Sequence, residues 1–157
     1  MTQTGIDPAR APGAVLFACG LNRIRSPMAA GLMRRRHGEL MFIDSCGLHA
    51  DPGGLPDPFV VAVMDEAGID MGGHSPKTFD ELDDDSFDVI ISLSPEAHHR
   101  AGEVARFRNV QLEYWPTLDP TLTSGSRDQI LNAYRAVRDA LELRIRNRFP
   151  HGLTFGG

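Results

Sequence analysis

Cys19, Arg25 and Ser26 are the residues of this chain best placed to do chemistry. They lie in Cys19-Gly20-Leu21-Asn22-Arg23-Ile24-Arg25-Ser26-Pro27, a thiol followed by a guanidinium and a hydroxyl. A guanidinium fork matches two oxygens of a tetrahedral oxyanion. The thiolate is the nucleophilic form of cysteine, and a neighbouring cation or helix N-terminus favours it. Ser26 can donate a hydrogen bond to that sulfur. Cys19 is thus a candidate activated nucleophile, and Arg25 a candidate stabiliser of transition-state charge. Between them, Gly20, Leu21, Asn22, Arg23 and Ile24 supply backbone amides that can bind the anion. Gly20 and Asn22 tolerate the left-handed backbone that such a nest requires.

The elements that must position these groups are readable on either side. Val15 to Ala18 is short, apolar and continuous, as expected of a strand buried on both faces. Ser26 suits a helix N-cap and Pro27 the first helical position, where its missing N–H costs nothing. Met28, Ala29, Ala30, Leu32 and Met33 then continue a helix. Strand, loop and helix N-terminus in that order make an anion site.

The motif Cys19-x5-Arg25-Ser26-Pro27, directly after a strand near the N-terminus and with Asn22 inside it, resembles the low molecular weight protein tyrosine phosphatase family. That family also includes the thioredoxin-coupled arsenate reductases. The resemblance extends from Val15 to about Phe149. It implies four parallel strands in order 2-1-3-4 with helices on both faces, a three-layer αβα architecture of the α/β class. The phosphate-binding loop then lies between strand 1 and helix 1. The resemblance also implies a general acid in an Asp-Pro pair about a hundred residues after the cysteine. Tyr114-Trp115-Pro116-Thr117-Leu118-Asp119-Pro120 stands there. When a thiolate takes a phosphoryl group, the leaving oxygen needs a proton, and a positioned acid contributes roughly 10²–10⁴-fold. Pro120 restricts Asp119 to extended conformations.

Several positions depart from the family pattern. Ile24 stands where the family commonly has a second loop cysteine, and Leu21 where it usually has glycine, which suggests a tighter or reshaped loop. Thr121 and Leu122 follow Asp-Pro in place of two tyrosines. Leu48, His49 and Ala50 offer no aromatic wall after the second strand, which leaves Trp115 as the aromatic available for one. Leu93-Ser94 replaces a Met-Asp pair, and Ser94 reads as a helix cap. Cys46 has two readings: a buried apolar residue, or a sulfur close enough to Cys19 to form a disulfide on oxidation.

A chain of 157 residues is expected to form one domain, at 14–150, with a flexible leader at 1–13 and a tail at 151–157. The net charge of −5 implies no nucleic-acid surface, so an anionic substrate must be drawn by local potential around Arg23 and Arg25. Two cysteines without close spacing suggest neither a zinc site nor a disulfide framework, and no metal or cofactor is expected. No apolar run approaches spanning length and no signal core is evident, so the expected location is cytoplasmic, without membrane association. Helices are expected to about His37, over Phe59–Ala67, from Ser94-Pro95 to about Arg106, and over Arg127–Phe149. A short one is expected near Phe79–Leu82. Strands are expected at Ala14–Ala18, Leu40–Ser45, Phe87–Leu93 and Asn109–Tyr114. The basic run Arg34-Arg35-Arg36-His37 suits the end of a helix, with a partner-docking patch as the alternative.

These readings converge on a cysteine-dependent hydrolase of phosphomonoesters, phosphotyrosine among them, acting on a phosphorylated protein or a small phosphomonoester. Cys19, Arg25 and Asp119 are its catalytic residues; Gly20, Leu21, Asn22, Arg23, Ile24 and Ser26 bind substrate. Two alternatives stay open. One is arsenate reduction with a low-molecular-weight thiol, since arsenate resembles phosphate. The other is a module that binds oxyanions or phosphoproteins without turnover.

Overall fold

The computed structural model describes residues 12–51, 53–83 and 86–150. Four strands form one parallel sheet in the order β2-β1-β3-β4: β1 Ala14–Cys19, β2 Phe42–Gly47, β3 Val89–Ser92 and β4 Gln111–Tyr114. The helices are α1 Arg25–His37, α2 Pro58–Glu66, α3 Pro95–Ala105 and α4 Arg127–Arg148, with 3-10 turns at Phe79–Glu81 and Pro120–Leu122. This is the expected αβα architecture. Apart from Pro12 and Gly13, the expected leader lies outside the described residues, as does the tail at 151–157.

Side-chain alternation along β1 sorts the core into two layers. Val15, Phe17 and Cys19 face α1, α2 and α4, against Met28, Leu32, Met33, Val60, Met64, Tyr134, Leu141 and Ile145. Leu16 and Ala18 face the other way, with Cys46, Ile90, Phe79 and the alanines Ala97 and Ala101 of α3. Phe17 meets Trp115 edge-on at 6.0 Å between centroids, and Trp115 in turn lies 6.4 Å from Phe149, which ties the end of α4 to the sheet. A fully buried phenyl such as Phe17 contributes about 1.5–3 kcal/mol. Asp88, just before β3, accepts from Gly13 N at 2.7 Å and Ala14 N at 2.9 Å and fixes the start of β1.

Boundaries shift where local hydrogen bonds compete with the sheet. Leu40 belongs to the turn that closes α1, donating its N–H to His37 O, so β2 begins at Phe42 and runs on to Gly47 opposite Cys19. β3 is shorter than Phe87–Leu93, since Asp88 is spent on β1, and β4 begins at Gln111 after a turn in which Arg108 N bonds Ala105 O. The basic run at the end of α1 is engaged within the chain. Arg34 bonds Ile43 O and lies 3.6 Å from Asp44, Arg35 bonds Ala67 O, Arg36 pairs with Glu142, and His37 Nε2 donates to Phe149 O at 2.8 Å. Arg34 therefore ties α1 to β2, while Arg35, Arg36 and His37 tie it to the ends and flank of α2 and α4. Among the described residues no helix is long and apolar enough to cross a membrane.

Candidate active site

The loop 20–24 leaves β1 at the carboxyl edge of the sheet, where open parallel sheets place ligands. Cys19, Gly20, Leu21, Arg23, Ile24 and Arg25 line a cavity of about 140 Å³ together with Asp119 and Thr121. Two segments more than ninety residues apart thus converge on one hollow. Asn22 and Ser26 lie beneath it, both wholly buried.

The carbonyls of the loop are tied outward. Leu48 N donates to Cys19 O at 3.2 Å and to Gly20 O at 2.9 Å, and His49 N donates to Gly20 O at 3.0 Å. His74 Nε2 donates to Asn22 O at 2.7 Å. In a planar trans peptide the N–H points opposite to the preceding C=O. Anchoring the carbonyls of Cys19, Gly20 and Asn22 therefore turns the N–H groups of Gly20, Leu21 and Arg23 away from those anchors, into the loop. The donors that an oxyanion needs are held in place by bonds made on the other side of the backbone.

Asn22 is the keystone of that conformation. It carries a φ of 55°, the only positive value at a non-glycine residue among those described. Its Nδ2 donates to Ser26 Oγ and to Ser45 Oγ, each at 2.9 Å, and its Oδ1 accepts from Lys77 N at 3.0 Å. Gly20 is not among the positive-φ residues, and a Cβ there would meet nothing within 4 Å. The left-handed step is taken by Asn22 alone. Leu21 is tolerated for the same reason: its backbone stays in the ordinary region, and its side chain is 57% exposed.

Ser26 does not cap α1. The helix begins two residues earlier than expected, at Arg25, with no side-chain cap, and Pro27 sits at its third position, where a missing N–H still costs no helical bond. The Ser26 hydroxyl is instead directed at the nucleophile candidate: Oγ lies 2.9 Å from Cys19 Sγ and 3.3 Å from Cys46 O. Asn22 Nδ2 donates to this oxygen, and the single serine proton can go either to the Cys46 carbonyl or to the Cys19 sulfur. Arg25 Nη1 donates to Thr117 O at 3.1 Å, which aims the guanidinium and links it to the segment bearing Asp119. Asp119 Oδ1 accepts from Thr121 N at 2.9 Å and Thr121 Oγ1 at 2.7 Å. With Oδ1 so held, Oδ2 is the oxygen open to a proton.

One expectation is corrected, and of the two readings of Cys46 the packed one is favoured. Trp115 does not wall this cavity; it is 4% exposed and borders an adjoining groove of about 520 Å³ between α4 and the 115–123 segment, beside Ala133, Ala136 and Ala140, with Asp119 common to both. Its ring is held there by Phe17, Phe149 and the Arg144 guanidinium. Cys46 pairs with Ala18 across the β1–β2 ladder and shares the layer of Leu16 and Ala18, whereas Cys19 belongs to the opposite layer. Both thiols are free, and burial together with the nearby Cys19 and Asp44 charges pushes the Cys46 thiol up. Cys46 is a packed apolar residue. Among the described residues no group of three or more His, Cys, Asp or Glu is arranged to hold a metal ion.

The sequence singled out the loop but not its scaffolding. Ser45, His74, the Lys77 amide and the Thr117 carbonyl carry no sequence signal of their own. Gly47 was not singled out, although a glycine next to a strand is a signal that can mark a close backbone approach. A Cβ there would lie 2.7 Å from Asn22 N and 2.9 Å from both Gly20 O and Leu21 C. Nearby, burial and Asp57 push the Tyr134 phenol up to about 12, so it is a neutral donor to Asp57 Oδ2 at 3.4 Å, while Asp57 caps α2.

A parallel αβα sheet with an oxyanion-type loop between its first strand and first helix defines a class of small phosphate-loop proteins. The pattern of one such family, low molecular weight phosphotyrosine protein phosphatase, matches residues 14–151. The chain belongs to that enzyme family. It is similar to the glutaredoxin arsenate reductase of Synechocystis sp., with 29% identity over 85% of this chain and 93% of that one. It is also similar to the protein-arginine-phosphatase of Bacillus subtilis, with 27% identity over 84% of this chain and 91% of that one. A solved arsenate reductase in its phosphate-binding state superposes with a TM-score of 0.69 at 29% identity, covering 85% of this chain and 94% of the other.

Proposed function

We propose that the protein is a cysteine-dependent phosphatase that hydrolyses phosphomonoesters through a phosphocysteine, with phosphorylated protein segments as substrates. The observation that carries this reading is the presence of the Asp119 carboxyl in the cavity that holds Cys19 and Arg25. Binding an oxyanion does not require a carboxylate beside it; releasing an alkoxide or phenolate does require a proton donor. The naming of a relative as a protein-arginine-phosphatase supports phosphoryl chemistry on protein.

In this mechanism the phosphoryl oxygens lie against the N–H groups of Gly20, Leu21 and Arg23 and the free donors of Arg25. The Cys19 thiolate attacks phosphorus as the P–O bond to the leaving group breaks, and Asp119 Oδ2 delivers its proton to that oxygen. Ser26 Oγ–H donates to Cys19 Sγ, which favours the thiolate before attack and makes it a better leaving group afterwards. The Asp119 carboxylate then takes a proton from water as the water attacks the phosphocysteine, releasing phosphate and restoring both groups. Leu21, Ile24 and Thr121 give the cavity aliphatic walls, so the reading does not specify tyrosine. A nucleophilic thiol of this kind suits a reducing compartment such as the cytoplasm.

Arsenate reduction is the second reading, favoured by the similarity to the glutaredoxin arsenate reductase. Here the Cys19 thiolate attacks arsenic as one As–O bond breaks and that oxygen, protonated, leaves as water; a low-molecular-weight thiol then attacks the Cys19 sulfur. The S–As pair of electrons passes to arsenic, arsenite leaves and a mixed disulfide remains; a second thiol restores Cys19.

Phosphate release and thiol-dependent arsenite release, measured side by side on aryl phosphates, phosphopeptides and arsenate, decide between the two. Cys19→Ser is expected to abolish turnover in either case. Asp119→Asn is expected to slow phosphate release by about 10²–10⁴-fold, most for poor leaving groups. Arsenite release without phosphate release overturns the phosphatase reading, as does full phosphatase activity in Cys19→Ser.

A further inference from the structure

Resting on the phosphatase reading, we infer that Arg23 recognises a second anionic group on the substrate, the carboxylate of an acidic residue adjoining the phosphorylated one in a polypeptide segment.

The cavity contains two guanidinium side chains and the phosphoryl group can occupy only one set of donors. Arg25 and the loop amides meet a tetrahedral anion already. Arg23 borders the same hollow, half-buried, and spends one donor, Nε, on Leu55 O at a long 3.4 Å. Of its five N–H donors, the four on Nη1 and Nη2 have no hydrogen-bond or ion-pair partner among the described residues. The Leu55 carbonyl belongs to the connection that follows β2, so this contact holds the Arg23 side chain to one wall of the mouth, away from Thr117, which anchors Arg25. A neutral substrate covering the mouth would partly desolvate Arg23 without pairing it, which opposes binding. A carboxylate beside the phosphate relieves that cost and adds attraction in a partly water-excluded site.

The surroundings favour a polypeptide over a small diacid. Leu21, Leu55, Leu118 and Leu122 are 57%, 78%, 84% and 83% exposed. Leu21 lines the cavity, the Leu55 carbonyl holds Arg23, and Leu118 and Leu122 line the adjoining groove, which shares Asp119 with the cavity. Exposed aliphatic side chains along the cavity and the adjoining groove, beside one unpartnered cation, fit a chain segment with apolar and acidic neighbours. The net charge of −5 makes this local cation more selective, because acidic segments gain no general attraction from the rest of the surface.

The test uses two phosphopeptides of one sequence that differ only in Asp or Asn next to the phosphorylated residue. Their dissociation constants are measured with full-length protein carrying Cys19→Ser, alone and with Arg23→Gln or Arg23→Lys. The Asp peptide is expected to bind about five- to tenfold more tightly, with the ratio falling as salt is raised from low to high ionic strength. Arg23→Gln is expected to bring the ratio to about one, and Arg23→Lys to restore part of it. A structural role for Arg23 would change both affinities equally and leave the ratio intact. An unchanged ratio in Arg23→Gln, equal binding of the two peptides, or binding of neither overturns the inference. Turnover of the same peptides by the unsubstituted protein is scored separately: no phosphate release from either refutes the phosphatase reading, whatever the binding ratio.

Discussion

Gly47→Ala tests whether the loop amides are held by backbone contact with the end of β2. Gly47 pairs with Cys19, and its φ is not in the left-handed region, so alanine is conformationally permitted there. What alanine lacks is space. Its Cβ would lie 2.7 Å from Asn22 N and 2.9 Å from Gly20 O and Leu21 C, where ordinary contact begins at 3.4 Å. All three are backbone atoms of the loop, so no side chain can swing aside; the loop must retreat by about 0.7 Å at Asn22. Forcing a methyl into a filled site costs roughly 1–3 kcal/mol. Displacement of reacting groups by about 1 Å costs on the order of 10²-fold in rate, so about 0.7 Å should cost roughly 30-fold. We therefore expect Gly47→Ala to lower the urea midpoint modestly, to reduce kcat/KM on an aryl phosphate about 30-fold, and to weaken vanadate binding in parallel. Gly102→Ala in α3 is the control, since a Cβ there meets nothing within 4 Å and alanine favours helix. Activity and vanadate affinity of Gly47→Ala within twofold of the unsubstituted protein would refute the reasoning.

Asn22→Ala removes three side-chain hydrogen bonds, two of them buried, and places alanine at φ 55°. Leaving Ser45, Ser26 and the Lys77 amide short of a partner should cost about 1–3 kcal/mol in urea unfolding, and phosphate binding should fall with it; full stability in this variant would show that the network is slack. His74 provides a pH test. Burial is the largest cause that lowers its pKa, outweighing the hydrogen bond to the Asn22 carbonyl, with Arg34 and Lys77 also lowering it and Asp44 raising it. The unfolded chain therefore binds the proton more readily, near pH 6.5. The contribution is full above about pH 6.5 and is lost as pH falls through the lower folded value. Urea midpoints between pH 7.5 and 5 should decline more steeply in the unsubstituted protein than in His74→Gln, and equal slopes would contradict the assignment.

Sequence reading reached the loop because its chemistry is local. A strand end, a thiol, a guanidinium and a proline-led helix lie within a dozen residues, and each has its own signature. Asp119 was reached differently, through a family pattern, because nothing about an Asp-Pro pair shows which cavity it faces. The elements were legible from hydrophobic runs and caps, with Ser94 behaving as read, its Oγ accepting from Ala97 N at 3.3 Å. Ser26 was misread because Ser-Pro before an apolar run is a helix-start signal, and only the bonds to Cys19 and Asn22 reveal that the hydroxyl turns inward. The scaffold of Ser45, His74, Lys77 and Thr117 acts through backbone groups or from distant segments, and such contacts exist only once the sheet order brings β2 and β3 beside β1.

Sheet parity decides how many thiols the site can use. Cys46 lies opposite Ala18, one residue from the partner of Cys19, and that single step places the two side chains in different layers. Slipping β2 to bring the sulfurs to one face would expose Ile43 and carry Gly47 off the loop it supports. A disulfide relay from Cys19 therefore finds no second thiol among the described residues, where Cys19 and Cys46 are the free cysteines. Ile24, in the loop itself, supplies none either. Arsenate reduction by this chain must then take its electrons from a thiol in solution, and its rate must depend on that thiol's concentration. Phosphoryl transfer as proposed above needs no such reagent: in that reading Cys19, Arg25, Asp119 and water close the cycle. Of the two chemistries proposed for the loop, hydrolysis is the one that needs no reagent beyond these residues, the substrate and water.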